Sequence, residues 1–146
     1  MIGSEIMVEL HGWLSISKTY NDEDTMSEHE LDIIAKNTQV LLNKRISGTQ
    51  LRYANGSAYI DTLFSSNHRT AEVDEIISFY TQLSETATGS YGMIYLRDDE
   101  DKTYYNEFQV FAFRHGKCTK IKDKQLSPCI PMIEADIYKN NIQKED

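Results

Sequence analysis

The segment from Met7 to Ser17 reads Met-Val-Glu-Leu-His-Gly-Trp-Leu-Ser-Ile-Ser, and it constrains the fold more than any other stretch. Its apolar residues alternate with period two, so Val8, Leu10, Leu14 and Ile16 fall on one face of a strand. Glu9, His11, Trp13 and Ser15 fall on the other. A strand with one apolar face needs a covering layer, and the sequence supplies two amphipathic helices for it. Leu31, Ile34, Ala35, Thr38, Leu41 and Leu42 recur at helical spacing. Ser27 and Glu30 form an S-x-x-E start signal, Lys44 and Arg45 suit the negative end, and Gly48 is a natural stop. Val73, Ile76, Ile77, Tyr80, Leu83 and Ala87 mark a second helix opening at Thr70 and ending by Gly89. Glu72, Asp74 and Glu75 sit near its positive end.

Two hairpins complete the pattern. Asn55-Gly56 separates two strand-like runs, 50–54 and 57–64, and both residues accept the positive φ of a type I′ turn. Tyr91 to Arg97 and Tyr104 to Arg114 are predicted to pair across Asp98-Asp99-Glu100-Asp101-Lys102. The second of these carries apolar residues on both faces, which suits a central strand. Cys118 to Lys122 reads as a short edge strand, with lysines that discourage further pairing. The order is β-α-β-β-α-β-β. It predicts an α+β two-layer sandwich, mainly antiparallel, with two helices on one face and a ferredoxin-like or related arrangement. One unit over residues 1–146 is expected, with an extended tail from about 123, because Pro128 and Pro131 bias their predecessors away from helix.

At 146 residues the chain can bury roughly two thirds of its unfolded surface, enough for its own core. Its 40% apolar content is too high for a disordered chain, and no run of about 18 apolar residues would span a bilayer. The opening Met1-Ile2-Gly3-Ser4-Glu5 does not read as a signal peptide, so a cytosolic setting is expected. Cys118 and Cys129 are then expected as free thiols.

The net charge of −8 argues against binding a nucleic acid backbone and favours a basic protein partner, although acidity also serves solubility alone. No glycine-rich phosphate loop, G-x-S-x-G or H-E-x-x-H occurs, and no metal or cofactor is expected. His29, His68 and His115 read as surface residues. His11 shares a strand face with Glu9 and Trp13 at spacings of about 7 Å. A Glu-His pair can act as base and orienter, but no nucleophile accompanies it. The alternatives for His11 are a structural role or a binding surface. The acidic run at 98–101 lacks the ligand pattern of a calcium loop and reads as a solvated hairpin tip or a contact for a basic partner.

Two segments resemble a known family. Val8-Glu9-Leu10-His11-Gly12-Trp13-Leu14 and Leu126-Ser127-Pro128-Cys129-Ile130-Pro131 are similar to motifs of the bacterial immunity protein 7 (Imm7) family, and the resemblance runs from about Met7 to Glu134. Within it, His11, Gly12, Trp13, Ser127, Pro128, Cys129 and Pro131 carry the motifs. The resemblance implies a non-enzymatic immunity protein of a polymorphic or contact-dependent toxin system, which binds and blocks a cognate toxin domain. Nucleases are one kind of basic toxin whose groove clustered carboxylates fill.

On that reading, contacts are expected from the loop acids Asp22, Glu23 and Asp24 and from Asp98, Asp99, Glu100 and Asp101. Tyr59, Tyr104 and Tyr105 are expected as aromatic anchors. Trp13 is either an anchor or a core residue, and core is favoured because residues of buried pattern flank it. The rival reading is a small enzyme or ligand-binding domain using the Glu9-His11-Trp13 face. A third is an oligomerisation module.

Overall fold

The alternating segment forms β1 (Val8–Ile16), and the two helical patterns form α1 (Glu28–Leu42) and, later, α2 (Ala71–Thr86). Between them lie β2 (Thr49–Ala54) and β3 (Ser57–Ser66). After α2 come β4 (Tyr91–Asp98), β5 (Phe108–Arg114), β6 (Lys117–Lys122) and a four-residue turn of helix, α3 (Cys129–Met132). These elements belong to a computed structural model, which describes residues 7–18, 28–44 and 46–133. Ser27 of the helix start signal, Arg45, and the acidic run Asp22-Glu23-Asp24 lie outside the described residues.

The six strands make one open antiparallel sheet in the order β2-β3-β1-β4-β5-β6. β1 therefore pairs on both edges, with β3 and β4. Val8, Leu10, Leu14 and Ile16 are buried against the two long helices, as their alternation predicts. Val73, Ile76, Tyr80, Leu83 and Ala87 of α2 and its cap meet them, joined by Phe79, and Ile34, Leu41 and Leu42 of α1 close the rim. The fold is thus α+β, with both long helices on one face of the sheet.

Local chemistry explains the boundaries. Asn55 and Gly56 take φ of 52° and 77°, as the type I′ hairpin requires. α1 stops at Leu42, ahead of Gly48. Gly48 instead makes the turn into β2 at φ 63°, where a side chain would collide with the Leu63 carbonyl.

β5 begins at Phe108 rather than at Tyr104, a correction to the predicted strand. Asp101 accepts the backbone N–H groups of Thr103 and Tyr104, and Asn106 sits at φ 63°. Those side-chain turns take the backbone groups that a ladder would need. The tail is likewise less extended than predicted. Ile130 is extended before Pro131, but the turn around it is helical, and the Ser127–Pro128 and Ile130–Pro131 bonds are cis.

Candidate binding face

The sheet face opposite the long helices carries the polar side of β1. The pairing register sets Glu9 beside Arg97, His11 between Leu63 and Tyr95, and Trp13 between Asp61 and Met93. Trp13 is 44% exposed, which corrects the expectation that it lies in the core. Its strand neighbours Gly12 and Leu14 are buried because they point to the two long helices, whereas Trp13 points to the opposite side of the sheet. The ring is steadied by Tyr91, edge-on at 5.9 Å between centroids and 89° between planes. Tyr91 and Leu63 are exposed on the same face.

The tail covers one end of this face. Asp123 accepts the backbone N–H groups of Gln125 and Leu126 and the Ser127 hydroxyl at 2.8–3.0 Å. Burial opposes the charge on Asp123. The hydrogen bonds from Gln125, Ser127 and Leu126 outweigh it and hold its carboxyl below the ordinary 3.8. Ser127 Oγ also accepts the Phe108 N–H at 2.8 Å, which fastens the tail to β5. Asn106 then holds Ile130 twice, donating from Nδ2 to its carbonyl and accepting its N–H at Oδ1, both at 2.8 Å. Cys129 is fully buried, and burial pushes its thiol up.

Where the tail meets β1 a shallow, mainly apolar cavity of about 400 Å³ opens. Glu9, His11 and Trp13 form one side of it, and Tyr95, Phe108 and Leu126 the other. The Tyr95 and Phe108 rings meet at 5.8 Å and 69°. Glu9 Oε1 stands 3.3 Å from His11 Nε2, both partly exposed. The two segments that carried the family resemblance, 8–14 and 126–131, therefore converge on one cavity.

The other expected contact residues are dispersed. Asp98 is 3% exposed, which corrects its placement in a solvated tip. It accepts from Arg69 at 3.3 Å and from the Glu100 N–H at 3.0 Å. Asp99 faces Arg97 at 3.3 Å, and Glu100 meets His68 at 2.6 Å. Asp101 also accepts from Gln109 at 3.3 Å. Tyr104 lies half-buried under Lys120, whose Nζ is 3.8 Å from the ring centre, while Tyr105 is exposed. Tyr59 is half-buried on β3, on the Trp13 side of the sheet.

Sequence reasoning missed Tyr91 and Met93, whose placement depends on the β1–β4 register. It also missed Asp123, for which the Asp-x-x-x-Ser spacing to Ser127 was the available signal. Among the described residues no three His, Cys, Asp or Glu side chains gather as a metal site, and no helix is long and apolar enough to cross a membrane.

These features describe an α+β protein whose sheet is covered by helices on one side and exposes aromatic side chains on the other. The chain belongs to the immunity protein 7 family, whose family model matches residues 7–135, most of its length. Membership implies an immunity protein directed against a toxin. No curated protein and no solved structure matches the chain.

Proposed function

We propose that the protein binds a cognate toxin domain in the cytosol and neutralises it by covering the toxin's active site. The observation that carries the mode of action is the sheet face opposite the long helices, where Trp13 is exposed at the centre of a doubly paired strand. Interface energy concentrates in Trp, Tyr and Arg anchors held in place before binding. The partner is a basic protein, because a charge of −8 speeds encounter with positive surfaces, and a toxin must be captured before it acts. A nuclease fits that description. The β4-β1-β3-β2 portion of the sheet, with its two crossover helices, supports a ferredoxin-like core extended by β5 and β6.

The rival reading, chemistry at the Glu9-His11 pair, has the cavity in its favour. That cavity is walled by apolar side chains, which suits an anchoring contact better than proton transfer. Co-expression decides between them. The chain produced with the toxin domain encoded beside it should restore growth, and the two should purify together. Growth restored without a complex would remove the binding mechanism and favour an enzymatic antidote.

A further inference from the structure

We propose that the cavity between β1 and the docked tail is the anchor point of the toxin complex, and that it takes the cationic side chain of a toxin arginine or lysine. The proposal rests on the reading that the protein binds a toxin, and goes beyond it in naming the surface and the chemistry it selects.

The walls suit such a guest. Trp13, Tyr95 and Phe108 offer aromatic surface, which attracts a cation laid over a ring face and also packs the aliphatic stem of Lys or Arg. One carboxylate, Glu9, lies at the same cavity with its side chain 33% exposed. A carboxylate beside aromatic walls selects a cation over an apolar or acidic side chain. The cavity, at about 400 Å³, holds a long side chain with room for bridging water.

Among the carboxylates of the sheet and of the run at 98–101, Glu9 is the one that lines this cavity, and the others are engaged elsewhere. Asp98 is buried against Arg69, Asp101 caps its own loop, Glu100 meets His68, and Asp61 is held by Arg52 at 2.5 Å. Arg97 is the cation opposite Glu9 in the sheet register, and its Nε lies 3.3 Å from Asp99 without a hydrogen bond. Glu9 is left with His11, an exposed side chain that an incoming cation can displace. The site is also preorganised. Tyr91 steadies Trp13, and the Asp123–Ser127 bonds hold the Leu126 wall in place, so little ordering entropy remains to be lost on binding.

The single tryptophan makes the test direct. The protein is labelled with 5-fluorotryptophan and titrated with an unlabelled, catalytically inactivated form of the toxin domain encoded beside it. The Trp13 fluorine resonance should shift to a bound position at one equivalent. W13A, which carries no fluorine label and is read with the other variants by titration calorimetry, should weaken binding roughly tenfold or more, as anchor residues do. E9Q should weaken it by roughly three- to tenfold, and E9K more, since a reversed charge repels the cation.

A complex of unchanged affinity in all three variants, with Trp13 unmoved, overturns the proposal and leaves toxin binding standing. Weakening by W13A but not by E9Q or E9K means that the cavity takes an apolar side chain, and overturns the cationic guest. A Trp13 signal that moves with protein concentration alone assigns the face to a second copy, and also overturns it. Absence of any complex removes the toxin-binding reading itself. If W13A lowers the melting temperature, the two Glu9 variants decide, because that side chain is partly exposed and its loss leaves the core intact.

Discussion

The hydroxyl of Tyr80 on α2 occupies the space that Gly12 on β1 leaves open. A Cβ at Gly12 would lie 2.8 Å from Tyr80 Oη and 2.9 Å from Ile94 Cγ1. The hydroxyl is there for a reason. It shares a hydrogen bond with Thr62 Oγ1 at 2.8 Å, which in turn meets Thr49 Oγ1 at 2.7 Å, so a chain of hydroxyls ties the helix to β3 and β2. Burial pushes the phenol's pKa well up, so it stays protonated. G12A should therefore cost roughly 1–3 kcal/mol by overpacking. Y80F alone should cost about 1 kcal/mol, because Thr62 keeps Thr49 as a partner. The double variant should be less damaged than the sum, since the phenylalanine removes the atom the new methyl strikes. Chemical denaturation of the four proteins checks this, and strict additivity would show that the contact does not explain the glycine.

The acidic loop after β4 divides into structural and steering charges. Asp98 is buried with Arg69 and the Glu100 N–H as partners. D98N should lower stability by roughly 1–3 kcal/mol, because it weakens a buried charged acceptor. Glu100 is exposed and meets only an exposed His68 among the described contacts. E100Q should leave the melting temperature within a degree or so, slow association with the toxin at low salt, and leave dissociation nearly unchanged. Stopped-flow kinetics over a salt series reads both rates. Association that ignores salt and E100Q alike would make the acidity of the chain a solubility feature.

His11 separates binding from chemistry. Its side chain is half exposed, and its ion-pair partner is Glu9. H11A should preserve the fold, keep toxin affinity within a few-fold, and still protect cells. A folded H11A variant that binds tightly yet fails to protect would place chemistry at the Glu9-His11 pair.

The fold was legible where the signal is local. The period-two run at 8–16 set the core side of β1 correctly, and Asn55-Gly56 placed the β2–β3 hairpin. Thr70 marked the start of α2, and the lysines of β6 marked an edge. Trp13 was misplaced because alternation tells which side of a strand a residue faces, not what covers that side. That depends on where the helices land. Tyr104 and Tyr105 favour strand by type, but Asp101 and Asn106 turn the backbone before it can pair. The cavity was illegible in outline, since Glu9 and Leu126 meet there only through the docking of a distant tail, although the motifs of both segments were visible.

Asp123 controls that docking, and pH should reveal it. Burial would raise its pKa, but the hydrogen bonds from Gln125, Ser127 and Leu126 bring the folded value below 3.8. A depressed acid stabilises the folded state fully above its unfolded value and loses that contribution as pH falls through its folded one. The tail should accordingly stay docked above about pH 4 and loosen as pH drops further. Cys129 reports the event, because it belongs to the docked tail and is fully buried, whereas Cys118 on β6 is exposed. At neutral pH a thiol reagent should label Cys118 quickly and Cys129 slowly. D123N should accelerate labelling of Cys129 by roughly tenfold or more, the effect of losing about 1–3 kcal/mol of charged hydrogen bonding, with Cys118 unchanged. For the acid range, where thiols react poorly, hydrogen exchange at Leu126 and Ile130 replaces labelling. Wild-type exchange protection at these amides should fall below about pH 4, and D123N should lack that step because it has no carboxylate to titrate. Equal protection of Cys129 in both proteins would show that Asn106 and the Ser127–Phe108 bond hold the tail without Asp123.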